Sequence, residues 1–317
     1  MTINKSRMPN LISQKIKDKL HQLSIEPKKS LGQNFLINEG VYKKIVAALE
    51  IEKNDTIVEV GPGLGTLTEY LAESGAMIIA IEKDEKLATY LRDKFSNWKN
   101  VKIIEDDILK FSPVSCKLET ENYKLVGNIP FYLTSYLIRT VFEKWPRPEK
   151  IVLMLQKEVA QRIAASPPHS NLSVGASRPQ MSLLAVSIQY YSKPEIISYV
   201  SAGSFYPPPK VDSAIIQLVP SEQFAAYSDN AENPEKASGP RGFTGCKLKT
   251  VNFFRVVRAG FAGKRKQLIN NLATGLKISK QEIQQKLSLV DINPQRRAET
   301  LTIEEWQKIT NSLFSRD

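Results

Sequence analysis

TIVEVGPGLGTLTEYL (Thr56–Leu71) is the stretch that decides the predicted fold. A short apolar, β-branched run leads into a turn with glycines at alternate positions, and the residues after the turn have helical spacing. Gly61, Gly63 and Gly65 let the backbone pass close beneath a bound group, while the start of the following helix presents free N–H groups. The stretch therefore predicts a strand, a ligand-binding turn and a helix. Its G-x-G-x-G spacing differs from the dinucleotide pattern G-x-G-x-x-G, so a tight turn without a ligand is the alternative.

The next apolar run favours the ligand interpretation. MIIAIEKD (Met77–Asp84) reads as a second strand and ends in Glu82, about 20 residues beyond the first glycine, where a carboxylate that binds ribose hydroxyls is expected. The alternative for Glu82 is a position beside a helix cap on a solvated loop.

Three more apolar runs alternate with helical patterns, and the predicted strands are Val101–Leu109, Tyr123–Gly127 and Ile151–Gln156. This βαβ alternation predicts an open α/β fold with a parallel sheet, in which ligands bind at the carboxyl ends of the strands. The glycine turn, Glu82, Asp107 and Asn128 all fall at that edge. The segment with Asn34 and Leu36 precedes the first strand, so it can fold over the glycine turn as a lid.

Composition and charge suggest where the chain acts. The formal net charge of +11 is concentrated in two segments, because residues 1–30 contribute +5 and residues 241–270 contribute +8. Such segments indicate a polyanionic partner, with solvated tails as the alternative. Two cysteines and two histidines without metal-ligand spacing predict a reducing compartment and no metal site. With no long apolar segment, we expect a cytoplasmic protein that does not contact a membrane.

The pattern of elements suggests four parts. Residues 1–27 read as a basic N-terminal extension with a short amphipathic helix, residues 28–220 as the α/β domain, residues 221–250 as a linker or insertion, and residues 251–317 as a small all-helical domain. Within the second part, residues 166–181 read as a loop. The run LLAVSIQYY after Ser182 reads as a β-strand.

The sequence Asn128-Ile129-Pro130-Phe131 after the fourth predicted strand carries the chemistry. The exocyclic amine of adenine or cytosine is a poor nucleophile because its lone pair is delocalised into the ring. An Asn side-chain oxygen and a backbone carbonyl aimed at the amine hydrogens favour a pyramidal nitrogen, and a Phe ring can stack on the base. The alternative is a loop with a capping Asn and a buried aromatic ring.

Seven motifs together resemble the ribosomal RNA adenine dimethyltransferases, and their order is that of the family: KKSLGQNFL, EVGPGLGTLT, IEKD, EDDIL, GNIPF, FYPPPKVDSA and FFRVVRAGF. The resemblance is to the A-type branch that acts on small-subunit (16S) ribosomal RNA. It implies a Rossmann-like class I S-adenosylmethionine-dependent methyltransferase fold with a C-terminal helical domain, S-adenosyl-L-methionine as cofactor without a metal, and a monomer that works on the small ribosomal subunit.

By this resemblance the cofactor site comprises Asn34, Leu36, Gly61, Gly63, Glu82, Asp107 and Asn128. Glu82 would hold the ribose hydroxyls, Asp107 the adenine amine of the cofactor, and Asn128 would face the sulfonium and the target nitrogen beside Phe131. The family usually has Tyr at the last position, but stacking needs no hydroxyl. RNA contacts are expected from Lys28, Lys29, Arg255, Arg258, Lys264, Arg265 and Lys266.

Other functions share parts of this pattern. The resistance-type dimethyltransferases of large-subunit RNA have the same catalytic motifs, although FYPPPKVDSA and FFRVVRAGF favour the small-subunit branch. A non-catalytic assembly factor, or a mitochondrial-type transcription factor of this fold, would not need the intact set of Glu82, Asp107 and Asn128. An NAD-dependent dehydrogenase has no role for the NIPF sequence.

Overall fold

The structure, a computed structural model, describes residues 11–28, 31–113, 118, 123–130, 133–166, 181–221 and 243–314. For residues 11–13, 15 and 243–248 it describes the backbone without the side chains. The described chain forms two compact units. The first comprises the described parts of Met1–Ala160 with Glu195–Val219, and the second those of Gln161–Pro194 with Pro220–Asp317. This division differs from the predicted boundary near residue 220 because it groups residues 161–194 with the C-terminal helices.

A seven-stranded sheet forms the centre of the first unit. Its strands are β2 (Thr56–Val60), β3 (Met77–Glu82), β4 (Val101–Glu105), β5 (Tyr123–Asn128), β6 (Lys150–Gln156), β7 (Ser192–Val200) and β9 (Ser213–Pro220). They lie in the order β4-β3-β2-β5-β6-β9-β7. Strands β4 to β6 of this order pair in parallel, and β9 is antiparallel to β6. The predicted parallel α/β sheet is therefore confirmed, with an antiparallel strand added to it.

Helices cover the sheet because each has one apolar face. Those that begin in the first unit are α1 (Leu11–Gln22), α2 (Glu39–Leu49), α3 (Thr66–Ala72), α4 (Glu85–Lys94), α5 (Thr134–Lys144) and α6 (Lys157–Ile163). Ile16 and Leu20 of α1 are buried in a cluster with Phe35, Leu64 and Leu87. The N-terminal helix is thus packed against the body of the unit, beside the glycine turn.

A two-stranded antiparallel sheet ties the N-terminal segment to a distant part of the first unit. It consists of β1 (Phe35–Leu36) and β8 (Phe205–Tyr206), with Leu36 opposite Phe205. The backbone N–H of Ile37 also donates to the carbonyl oxygen of Ser204 at 2.8 Å. The Asn34–Leu36 stretch is therefore held in place by backbone hydrogen bonds to a segment far along the chain.

The second unit is helical, and its first helix corrects a sequence prediction. LLAVSIQYY forms helix α7 (Leu183–Tyr191), not a strand. Periodicity fails for such a run because its residues are apolar on nearly every face. Two local features decide for the helix: Ser182 caps its start by accepting from the backbone N–H of Ala185 at 3.2 Å, and Tyr190 stacks on Phe253 with ring centroids 4.2 Å apart.

The remaining helices of this unit are α8 (Phe243–Gly260), α9 (Leu268–Leu276), α10 (Lys280–Ser288) and α11 (Ile303–Phe314). Helix α8 begins inside the predicted linker, eight residues before the predicted helical part. Gly260 ends α8 where a Cβ atom would lie 2.3 Å from the Trp306 ring, so α8 and α11 pack closely. None of the helices in the described part of the chain is long and apolar enough to cross a membrane.

Candidate active site

A cavity opens at the carboxyl edge of the sheet in the first unit. The seven residues predicted for the cofactor site all line it: Asn34, Leu36, Gly61, Gly63, Glu82, Asp107 and Asn128. They come together because parallel strands end at the same edge of a sheet. Ile16 of α1 and Leu31 to Leu36 form a further wall.

The three glycines of the turn have positive φ angles but different surroundings. A Cβ atom on Gly65 would lie 2.7 Å from Leu91 and Phe95, so this glycine permits helix packing. A Cβ atom on Gly61 would meet nothing within 4 Å, although Gly61 lines the cavity. The backbone at Gly61 therefore faces open space, as a surface for close approach of a ligand requires.

Glu82 lies at the end of β3 with its carboxylate already oriented. Its side-chain oxygens accept from the backbone N–H of Gly63 at 3.1 Å and of Asp84 at 2.9 Å. Burial raises the pKa of this carboxyl above its usual value, although the backbone hydrogen bonds from Asp84 and Gly63 oppose the shift. Each oxygen keeps a second lone pair, so the group can accept two hydroxyl hydrogens from a ligand in the cavity.

Glu59 is a site residue that the sequence reasoning missed. It is the penultimate residue of β2, lines the cavity and is 1% exposed. The hydroxyl of Thr68 donates to it at 2.6 Å, and burial raises the pKa of Glu59 to about 7. A single acid inside an apolar strand, two residues before Gly61, was the signal available in the sequence.

Asp107 follows the end of the neighbouring strand, β4, and hydrogen bonds hold its carboxylate in place. Lys83 donates to it at 2.8 Å, and its second oxygen accepts from the backbone N–H of Leu109 at 3.1 Å. Burial works against the charged form, but the hydrogen bond and charge of Lys83 keep the pKa of Asp107 below its usual value. Asp106 and Ile108 also line the cavity and were not predicted.

Asn128 ends β5 with its amide in a defined orientation. The amide nitrogen donates to the backbone carbonyl of Asn34 at 3.0 Å. Because a carbonyl oxygen can only accept, the Asn128 amide must present its NH₂ group there, which leaves its oxygen as the acceptor for a ligand. Asn34 in turn donates to the carbonyl of Gly32 at 3.1 Å, so the wall opposite Asn128 is also ordered.

The other predicted site residues lie elsewhere or outside the described part. Phe131 and Lys29 are among the residues that the structure does not describe. Lys28 is described, and its ammonium group pairs with Asp84 at 2.6 Å while its side chain is half exposed. The C-terminal basic residues belong to the second unit and are all exposed: Arg255, Arg258, Lys264, Arg265 and Lys266. Arg255 lies over the ring of Phe314 at 5.6 Å.

The donor set of the cavity fits a nucleoside-type cofactor. It combines an oriented carboxylate for a ribose, an open backbone surface at Gly61, and a carboxylate beside Ile108. Within the described residues, no group of three His, Cys, Asp or Glu side chains is arranged to hold a metal ion.

Comparison with known proteins finds relatives that match most of the chain. Relatives described as "Ribosomal RNA small subunit methyltransferase A" include one from Dehalococcoides mccartyi, strain BAV1, which is 40% identical over 95% of this chain and 93% of its own length. The protein of the same description from Lactiplantibacillus plantarum is 36% identical over 94% of each chain.

Solved structures with the same fold include a dimethyladenosine transferase from Plasmodium falciparum, with a TM-score of 0.66, 24% identity, and coverage of 87% of this chain and 95% of that one. A 23S rRNA methyltransferase, ErmE, has a TM-score of 0.64 and 23% identity over 88% of this chain and 99% of that one. The predicted Rossmann-like methyltransferase fold is thereby confirmed.

The family model described as "Ribosomal RNA adenine dimethylase" matches residues 25–232, which include the glycine turn, Glu82, Asp107 and Asn128. With this match and relatives 40% identical over nearly its whole length, the chain belongs to the ribosomal RNA adenine dimethylase family.

Proposed function

We propose that the protein dimethylates the exocyclic amines of two adjacent adenosines in a hairpin near the 3′ end of small-subunit (16S) ribosomal RNA. The family and the names of the relatives support this activity and favour small-subunit over large-subunit RNA. The reaction serves the assembly of the small subunit. It takes place in the cytoplasm, and the enzyme works as a monomer.

The orientation of Asn128 is the observation that carries the proposal. With its NH₂ group on the carbonyl of Asn34, its side-chain oxygen can accept a hydrogen from the target amine. That hydrogen bond, together with one to the carbonyl of Ile129 or Pro130, favours a pyramidal nitrogen. The lone pair of such a nitrogen is available to accept a methyl group. Phe131 stacks on the target base and orients it.

The cofactor site follows from the residues around the cavity. S-adenosylmethionine, when bound, supplies a methyl group on an electrophilic sulfonium centre. Glu82 would accept from its ribose hydroxyls, Asp107 would accept from its adenine amine, and the backbone at Gly61 would pass beneath its methionine part. Asn34 and Leu36 complete the wall on the side of Asn128.

RNA binding is assigned to basic side chains of the second unit. Five exposed residues supply positive charge there, in a stretch of sequence (residues 241–270) that contains no Asp or Glu: Arg255, Arg258, Lys264, Arg265 and Lys266. Phosphate contacts of this kind position an RNA without reading its sequence. The helical part, residues 251–317, is therefore proposed to be the RNA-binding domain, and residues 28–220 are proposed to be the catalytic domain.

The experiment that tests the function is methyl transfer to ribosomal subunits that lack the modification. Purified small and large subunits are incubated with the protein and labelled cofactor, and digested RNA is analysed by mass spectrometry. We expect dimethyladenosine in small-subunit RNA, and loss of product with the Asn128→Ala variant. Methylation of large-subunit RNA instead, or monomethyl product alone, would contradict the proposal.

A further inference from the structure

Asp84 lies at a junction of the candidate site and is 3% exposed. It is the N-cap of α4, where one side-chain oxygen accepts from the backbone N–H groups of Lys86 at 3.1 Å and Leu87 at 3.4 Å. Its other oxygen accepts from the ammonium group of Lys28 at 2.6 Å and from the amide of Gln33 at 3.4 Å. Capping alone would use only the first oxygen, so the second has a separate task.

The same residue also contacts the proposed ribose-binding carboxylate. The backbone N–H of Asp84 donates to Glu82 at 2.9 Å. A shift of Asp84 would therefore move one of the backbone groups that orient Glu82.

Lys28 and Gln33 act together on the opposite wall. The backbone N–H of Lys28 donates to the side-chain oxygen of Gln33 at 2.8 Å, and the backbone N–H of Gln33 donates back to the carbonyl of Lys28 at 3.3 Å. These reciprocal bonds join Lys28 to Gln33, and Gln33 and Asn34 both line the cavity. The ion pair with Asp84 thus attaches the Asn34 wall to the end of β3.

We propose that Asp84 is a positioning residue of the cofactor site, and that its ion pair with Lys28 fixes the distance between Glu82 and the Asn34 wall. The inference rests on the proposed function and deepens it, since it moves Lys28 from RNA binding to cofactor binding. The two roles predict different effects when Lys28 is replaced. A lysine on RNA changes the affinity for RNA and its salt dependence, whereas a lysine that positions the wall changes the affinity for the cofactor.

The test measures binding of S-adenosylhomocysteine and S-adenosylmethionine to the full chain without RNA, by calorimetry and stopped-flow kinetics. Lys28→Met keeps most of the side-chain length and removes the charge, and Lys28→Arg keeps the charge. The matched control is Lys43→Met, because Lys43 pairs with Glu39 on the exposed face of α2 and neither residue lines the cavity. Asp84→Asn keeps a capping oxygen, which makes a double-mutant cycle with Lys28→Met feasible.

We expect Lys28→Met to weaken cofactor binding about tenfold, mainly through faster dissociation, since a charge-assisted hydrogen bond is lost. Lys28→Arg and Lys43→Met should bind like the parent protein. In the Asp84→Asn background, Lys28→Met should add little. The affinity for RNA should not change.

Three results would overturn the inference. One is unchanged cofactor affinity in Lys28→Met while the parent protein binds, and a second is full additivity of the two changes. The third is an effect of Lys28→Met confined to RNA affinity and its salt slope. Failure of the parent protein itself to bind the cofactor would overturn the proposed function as well, which separates the two hypotheses.

Discussion

Replacement of Glu82 by Ala should weaken cofactor binding strongly while the protein stays folded. In the proposed complex, the variant leaves the ribose hydroxyls without a charged acceptor, a loss of roughly 1.5–3 kcal/mol, or about 10- to 150-fold in the dissociation constant. The cost to folding is smaller. The backbone N–H groups of Gly63, Lys83 and Asp84 lose their acceptor, but the buried carboxylate and its desolvation penalty are removed at the same time.

Titration calorimetry with S-adenosylhomocysteine measures the affinity, and circular dichroism confirms the fold. Glu85→Ala is the matched control, because Glu85 is an exposed acid in the first turn of α4, three residues away and outside the cavity. It should bind the cofactor like the parent protein. A folded Glu82→Ala variant with parental affinity would refute the assignment of the ribose site.

Three further changes test other parts of the site. Asn128→Ala should reduce the turnover number far more than the affinity for RNA, since the Asn128 oxygen acts mainly as the amine becomes pyramidal. In the same kinetic assay Phe131→Ala should reduce turnover as severely, whereas Phe131→Tyr should have almost no effect. A fully active Phe131→Ala enzyme would contradict the stacking role. Neutral residues in place of Arg255, Arg258, Lys264 and Lys266 should flatten the dependence of RNA affinity on salt without altering cofactor affinity. An unchanged salt slope would count against RNA binding by these side chains. Burial raises the pKa of Glu59 from 4.5 to about 7, so the folded protein holds a proton that the unfolded chain releases, and stability is lost as pH rises through this interval. The parent protein loses about 3 kcal/mol of stability at pH 8, and Glu59→Gln should remove this loss. In denaturant unfolding, the free energy of unfolding of Glu59→Gln relative to the parent should therefore increase from pH 5 to pH 8. The same difference at both pH values would show that Glu59 does not titrate in this range.

Four of the residues that line the cavity could be predicted from the sequence, for a geometric reason. Residues after the strands of a parallel sheet meet at one edge, so Gly61, Glu82, Asp107 and Asn128 could be grouped from strand predictions alone. The fold class followed from the same alternation of strands and helices.

The partners of charged side chains could not be predicted in this way. Lys28 looked available for RNA because its partner, Asp84, lies 56 residues further along the chain. Glu59 looked like one residue of an ordinary strand, since its pKa depends on burial that only the packed unit provides.

Helix α7 and the start of α8 were missed for a related reason. The run LLAVSIQYY is apolar on nearly every face, so tertiary contacts decide its conformation. Tyr190 packs on Phe253 and Phe254 of α8. That partner helix begins at Phe243, where the local composition of Gly, Pro and Ser argued for a linker.

The pairing of β1 with β8 bears on the order in which the protein is made. Translation produces the Asn34–Leu36 stretch early, but its strand partner, Phe205–Tyr206, emerges about 170 residues later. A nascent chain that ends before Phe205 contains the glycine turn, Glu82 and Asn128, yet its Leu36 has no strand to pair with. The cavity wall at Asn34–Leu36 therefore gains its strand pairing only after about two thirds of the chain has been synthesised.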